Sequence, residues 1–267
     1  MATFTDQIGQ QHTFETTPKR IISLVPSQTE LLFDLGLEDS LVGITKFCVH
    51  PYHLKATKKQ IGGTKKVHVE KIKLLQPDII IANKEENTVE IFEQLKDICP
   101  IWVTDVETLD DNTQMIRDFG TLFNKRTEAQ KWIDKIEFAQ KDFMKFVSDK
   151  PVQTAAYFIW REPFMVAGKN TFINELLKIN RFDNVYANRE ERYPEIELRK
   201  IRMEGDPELV LLSSEPFPFN EEHAFEIGRF THHGITIFVD GEMFSWTGSH
   251  LVKAFAYFKQ IHQRLEK

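Results

Sequence analysis

Cysteine is scarce: Cys48 and Cys99 are the only two in 267 residues, too few for a disulfide framework, and they fall on different predicted elements. A pair of buried, inert thiols is therefore expected. Long apolar runs are missing as well, and no window approaches the roughly 18 consecutive apolar residues of a membrane-spanning helix. The opening stretch MATFTDQIGQQHTFETTPKR is polar and lacks the apolar core of a secretory signal. Export would then require that a signal was removed, giving a periplasmic or lipid-anchored protein; a native start at Met1 would give a cytoplasmic one. Positive charge is not in excess, with 34 Lys and Arg against 40 Asp and Glu for a net charge of −6, so nucleic acid is not an expected partner. Catalytic signatures are missing too. There is no G-x-G-x-x-G, no P-loop, no G-x-S-x-G, no H-E-x-x-H and no kinase motif, and no enzymatic activity or intrinsic cofactor is expected.

What is present is a regular alternation of apolar strands and helices. Residues 20–36 read RIISLVPSQTELLFDLG: the run Ile21–Val25 suits a strand covered on both faces, Pro26 stops it, and a helix starts near Gln28. Ser27 and Glu30 have the S-x-x-E spacing of a capping box, Gly36 suits the helix end, and Leu41–Phe47 resumes as a strand. Further elements follow as a helix at 69–75, a strand at 78–82, a helix at 88–98, a strand at 101–103 and a helix at 110–123. Then TEAQKWIDKIEFAQKDFMKFV, residues 127–147, runs without Gly or Pro, and its apolar residues recur at helical spacing. A second α/β series begins after Pro151, with strands at 154–159, 209–212 and 235–239, a helix at 171–177 and a terminal helix from about His250. The fold class is thus α/β: an N-terminal lobe over 1–125, a bridging helix over 126–150 and a C-terminal lobe over 151–267. A rather rigid ligand cleft is expected between the lobes, at the strand ends. The aromatic share of 12%, with 22 Phe, leaves room for aromatic ligand contacts.

The stretches PKRIISLVPSQTELLFDLGLEDSLVGIT, IGGTKKVHVEKIKLLQPDIIIA and VDGEMFSWTGSHL, together with the long helix, carry a resemblance over nearly the whole chain from about Phe14. They resemble the helical-backbone, class III, periplasmic substrate-binding proteins of ABC importers, which carry cobalamin, haem and ferric siderophores. The resemblance implies a non-catalytic monomer that binds a small-molecule metal chelate and meets a transporter permease. It also implies that the turn after the first strand shapes the ligand cleft. Positions matching ligand-lining ones in the cobalamin-binding members are His50, Thr64, Trp160, Tyr193, Glu242 and Trp246, with Phe47, Arg161, Phe164 and Phe244 close by. Flat macrocycles are gripped by aromatic faces and a few polar groups, so the set is chemically apt. Glu70 matches a permease-docking glutamate of the first lobe. On the second, Arg199 stands where the family commonly has Glu: either Glu197, two residues earlier, takes over, or the permease contact is altered, or there is no permease.

A corrinoid is the first expectation for the ligand, because an anionic ferric complex would need several converging Arg or Lys and Arg161 is the one strong candidate. Ferric siderophore or haem is the alternative, and a cytoplasmic corrinoid-handling or chelatase-like enzyme is the alternative of another class. Two further groups can be weighed. Cys48-x-His50-x-x-His53 supplies three metal-ligating side chains without a fourth nearby, so no metal site is assigned. Glu190, Glu191, Glu195, Glu197, Glu221 and Glu222 read as solvated faces, and His232–His233 as a solvated turn.

Overall fold

A computed structural model describes residues 1–266. The chain forms two compact units, one of Met1–Glu137 with Thr247–Leu251, the other of Phe138–Trp246 with the residues from Val252 on.

Unit 1 opens with an antiparallel hairpin, β1 (Ala2–Thr5) and β2 (Gln11–Phe14), that the apolar pattern does not announce. The hairpin is held at the Asp6 carboxylate, which accepts the backbone N–H groups of Ile8, Gln10 and Val103 and lies 3.1 Å from His12 Nε2. The alternating elements follow: β3 (Ile21–Ser23), α1 (Pro26–Asp34), β4 (Leu41–Ile44), α2 (Leu54–Thr57), β5 (Lys59–Gln60), α3 (Val69–Leu74), β6 (Ile79–Asn83), α4 (Val89–Leu95), β7 (Ile101–Thr104) and α5 (Leu109–Leu122). Among the described residues the sheet has the parallel order β5-β4-β3-β6-β7. Every residue of β3, β6 and β7 is buried, as their unbroken apolar runs require of a sheet covered on both faces. All the C-terminal strand ends fall on one side, where open α/β sheets bind ligands.

The helix α6 (Arg126–Val147) is continuous over 22 residues. Its stripe is selective. In unit 1 Ala129, Ile133 and Ile136 are buried, and Trp132 Nε1 donates to the Asp34 carbonyl at 3.1 Å. In unit 2 Phe143 is fully buried against Phe255 and Phe258, whereas Phe138 is 75% exposed.

Unit 2 continues with β8 (Gln153–Trp160), β9 (Met165–Val166), α7 (Phe172–Ile179), β10 (Phe182–Asn184), β11 (Leu209–Ser213), α8 (Glu221–Gly228), β12 (Ile235–Val239), α9 (Gly241–Ser245) and α10 (Leu251–Leu265, of which only Leu251 belongs to unit 1). The parallel order is β10-β8-β11-β12, with β9 antiparallel on β8. Its core joins Ala156, Phe158, Val166, Tyr186, Val210 and Leu212.

Two local expectations need correction. The strand from Leu41 ends at Ile44 rather than Phe47, because Cys48 N–H turns back to the Thr45 carbonyl and the Thr45 hydroxyl accepts Phe47 N–H. The helix after β3 starts at Pro26, which suits a first-turn position where no N–H is needed, and Ser27 and Glu30 form no capping box. Both side chains reach instead to the distant Thr247–His250 segment of the same unit. Ser27 Oγ lies 3.3 Å from Thr247 Oγ1, and Glu30 Oε2 lies 2.6 Å from His250 Nδ1, with both members of the latter pair buried. Asn112 Oδ1 accepts Gly248 N–H at 2.5 Å. Gly248 sits at φ +79°, and a Cβ there would lie 3.0 Å from Leu31 Cβ, so both the conformation and the close approach call for glycine.

Replacing Glu30 by Ala should cost about 2 kcal/mol or more of stability in urea unfolding, the penalty for stranding a buried polar partner. Glu30→Gln, which keeps an acceptor, should cost clearly less; equal losses would show that the contact with His250 is not what matters.

Candidate functional site

In unit 1 the C-terminal strand ends carry a mixed aromatic and polar surface. Phe47 follows β4, is 49% exposed, and rests on Gly63, where a Cβ would lie 3.0 Å from its ring. Lys46 Nζ sits 4.8 Å from the Phe47 ring centroid. Thr64 is half-buried in the following turn, and its carbonyl accepts Asn87 Nδ2 at 2.9 Å. Asn87 Oδ1 in turn accepts Asn83 N–H, Asn83 Nδ2 reaches Thr104, and Gln28 Nε2 donates to Thr104 Oγ1 at 2.5 Å. Gln28, Asn83, Asn87 and Thr104 are all buried, and their network fixes the Thr64 turn to the ends of β6 and β7. Sequence reasoning missed these four; the signal was polar residues placed directly at the ends of apolar strands.

The Cys48, His50, His53 spacing does not become a cluster. Cys48 is fully buried, with its sulfur 3.1 Å from the Thr29 hydroxyl and 3.2 Å from that of Thr45, and burial pushes its pKa up. His53 lies 2.8 Å from Glu38 at the surface. His50 is half-buried, with its ring centroid 5.9 Å from that of His250. The other thiol, Cys99, is half-buried, and its pKa is pushed up to about 12, first by burial and then by the Asp78 charge.

In unit 2 the strand ends divide into two neighbouring groups. At the end of β8, Trp160 is 40% exposed and meets Phe217 edge-on at 5.8 Å, with Phe219 behind it at 4.9 Å from Phe217. Arg161 is held by Glu162 at 2.8 Å and Glu226 at 3.2 Å and sits over the Phe164 ring. Phe164 itself packs edge-on against the core residue Phe158. Tyr193 is half-buried in the loop leading to Ile196.

At the ends of β11 and β12, an open depression of about 610 Å³ is lined by Ser214, Glu215, Phe238, Val239, Asp240 and Glu242. Glu215 Oε1 accepts Trp246 Nε1 at 3.0 Å and the Ser245 hydroxyl at 3.2 Å. Asp240 caps α9 by accepting Glu242 N–H at 3.1 Å. A Cβ on Gly241 would lie 2.5 Å from Glu215 Cγ, so glycine is what lets α9 start against this carboxylate. Burial first, and then the charge of Glu242, push the Glu215 pKa above its ordinary value.

Phe244 departs from the expected group. It has no exposed surface and packs between Tyr157 at 5.1 Å and Phe258 at 4.8 Å, so it belongs to the core of unit 2. Trp246 is buried but keeps its indole N–H on Glu215. Of the docking candidates, Glu70 is exposed on the first turn of α3 and pairs with Lys73 at 2.9 Å. Glu197 lies between Lys200 at 2.5 Å and Arg199 at 3.6 Å, and the Lys200 hydrogen bond holds its carboxyl below the usual range. Arg199 is largely exposed.

Two units of this kind, with parallel sheets and a 22-residue helix, match a known family: residues 21–227 match the periplasmic binding proteins. The chain belongs to that family. It is accordingly a binding protein of the helical-backbone class. The glutamates 190, 191, 195, 197, 221 and 222 are all exposed. The uncharacterised ABC transporter substrate-binding lipoprotein YvrC of Bacillus subtilis (strain 168) is 29% identical over 193 residues. That alignment takes in 69% of this chain and 61% of YvrC, so the chain spans under two thirds of that relative's length. A vitamin B12-binding protein of Pectobacterium atrosepticum is 24% identical over 245 residues, 89% of this chain and 86% of the relative. In fold, the vitamin B12-binding protein BtuF of Vibrio cholerae superposes with a TM-score of 0.80 at 18% identity, over 94% of this chain and 99% of that one.

The raised pKa of Glu215 has a definite sign. The folded state holds its proton more tightly than the unfolded chain, so this group's contribution to stability falls as pH rises from about 4.5 through the folded value. Glu215→Gln retains an acceptor for Trp246 and removes the titration. Its stability relative to the parent should increase across that window in urea unfolding at stepped pH; a constant difference would assign the carboxylate no such role.

Proposed function

We propose that the protein is the substrate-binding component of an ABC-type importer and that its cargo is a metal chelate, a corrinoid before a ferric siderophore or haem. The observation that carries the choice of cargo is the charge at the strand ends of unit 2. Glu215, Asp240 and Glu242 gather there, and the guanidinium of Arg161 is already held by two glutamates. An anionic ferric complex entering such a surface would meet like charge and find no free bidentate donor. A corrinoid presents a broad apolar edge and amide groups, which suit exposed aromatic faces and carboxylate acceptors. The similarity to a vitamin B12-binding protein over 245 residues supports the same reading.

Phe47, His50 and Thr64 of unit 1, and Trp160, Arg161, Phe164, Tyr193, Glu242 and Trp246 of unit 2, are the residues assigned to the ligand. The sealed packing of Phe244 removes it from that set. We assign the two lobes of the binding protein to 1–125 and 151–267, with the bridging helix over 126–150. Delivery takes place in the cell envelope, with Glu70 and Glu197 meeting the transporter permease.

Titration calorimetry against cyanocobalamin, haem and a panel of ferric siderophores should show one-to-one binding of the corrinoid without turnover, accompanied by a change in indole fluorescence. Binding of the siderophores alone would overturn the corrinoid reading. Trp160→Ala should weaken binding by about 2 kcal/mol, about 30-fold, as the loss of an aromatic anchor does. Phe244→Ala should instead lower stability by about 3–5 kcal/mol. An unaltered affinity in Trp160→Ala would move the ligand off this surface.

Docking is tested separately. Glu70→Lys should abolish uptake in cells while leaving ligand affinity unchanged. Normal uptake would remove the docking role, and lost affinity would place Glu70 at the ligand.

A further inference from the structure

The formal charge of −6 hides a strong asymmetry. Residues 46–73 contain eight lysines and a single acidic residue, Glu70, a net charge of +7 that leaves −13 on the rest of the chain. The fold collects this segment along one border of unit 1. β5 is the outer strand of its sheet, paired to β4 through Gly43–Lys59 and Ile44–Gln60. α2 leads straight into it, with Lys58 N–H on the Leu54 carbonyl. A tight turn follows, closed by Gly63 N–H on the Lys66 carbonyl at 2.7 Å, and His68 N–H on the Ile61 carbonyl at 2.8 Å returns the chain to start α3. Lys55, Lys59, Lys66 and Lys71 therefore flank the same sheet edge.

Among the described residues these four make no side-chain hydrogen bond or ion pair, and Lys59, Lys66 and Lys71 are exposed. Guarding an open edge against strand pairing would need only Lys59. Interspersed with them, Tyr52 is 80% exposed and Leu74 is 83% exposed, on the segments that open and close the basic stretch. Lysines spread around an exposed Tyr and an exposed Leu match the chemistry of an anionic lipid interface, with charge for the headgroups and one amphipathic and one apolar side chain for the boundary beneath them. No arginine occurs in the segment, so a bidentate phosphate site is not built; diffuse attraction of ammonium groups to many headgroups is what remains.

We propose that the β5 edge of unit 1 is a membrane-facing surface that rests on anionic phospholipid and, with the acidic charge of the rest of the chain, orients the protein against it. The inference does not depend on which chelate is bound.

The test is cosedimentation of the full chain with vesicles of pure phosphatidylglycerol or pure phosphatidylcholine. Binding should be seen with phosphatidylglycerol only and should be lost in high salt, because exposed charges are screened over about 8 Å at physiological ionic strength. The combined variant Lys55→Gln, Lys59→Gln, Lys66→Gln, Lys71→Gln should lower phosphatidylglycerol binding at least about tenfold. Its circular dichroism and urea-unfolding midpoint should match the parent's, and a loss of either would be the sign of misfolding. In that event the milder pair Tyr52→Ser, Leu74→Ser decides, and it should weaken binding to phosphatidylglycerol measurably. Equal binding to the two lipids, or undiminished phosphatidylglycerol binding by a folded variant, would overturn the proposal. So would duplex DNA bound as tightly as the vesicles, which would mark a general polyanion surface. Release by inorganic phosphate but not by chloride of equal ionic strength would mark a local anion site and would overturn it as well.

Discussion

The contact between Glu30 and His250 ties together parts of the chain that are 220 residues apart and buries both side chains. A buried carboxylate and imidazole are costly unless they are paired, so the contact allows little variation in where the Thr247–His250 segment lies. The Ser27–Thr247 and Asn112–Gly248 hydrogen bonds and the Leu31 side chain under Gly248 complete the same seat. Much follows from this constraint. Trp246 immediately precedes the seated segment, α10 starts immediately after it, and His50 places its ring beside that of His250. The turn after β3, which has the position but not the glycines of a phosphate-binding loop, is used to hold a remote stretch of its own unit.

Both sheets apply one rule in different ways. Parallel strands bring their C-terminal ends to one side, and whatever residues follow those strands become a surface. In unit 1 the surface is built from amides and an aromatic ring resting on glycine, with Gln28, Asn83, Asn87 and Thr104 locked beneath it. In unit 2 it is built from carboxylates and indoles, with Glu215 pinned by Trp246 and Ser245. Charge is distributed just as unevenly along the chain, where residues 46–73 carry eight lysines and one acid, although Glu38 packs against His53 beside α2.

Much of the fold was legible because burial leaves a periodic mark. The runs Ile79–Asn83 and Leu209–Ser213 could hardly be anything but covered strands, and the stripe from Ala129 to Val147 could hardly be anything but a long helix. The β1–β2 hairpin left no such mark, since its order comes from the Asp6 carboxylate and not from an apolar face. Glu70 and Glu197 were visible as charges, and the cations that hold them, Lys73 and Lys200, lie three residues on in each case.

The site was less legible than the fold, and Ser27, Glu30 and Phe244 show why. The S-x-x-E spacing is a sound local signal for a capping box, yet both side chains found partners in Thr247 and His250 that local reasoning could not bring near. Phe244 sits among aromatic and acidic neighbours in sequence, but the turn of α9 directs it between Tyr157 and Phe258 in the core. By itself the sequence determined the α/β class, the order of elements, the long helix and the kind of chemistry available, because those depend on patterns a few residues long. Only the tertiary structure decided which polar side chains pair, which aromatic faces remain open and which charges share an edge. Those depend on residues far apart in the chain, where each buried donor, acceptor and ring takes the partner that the packing brings within reach.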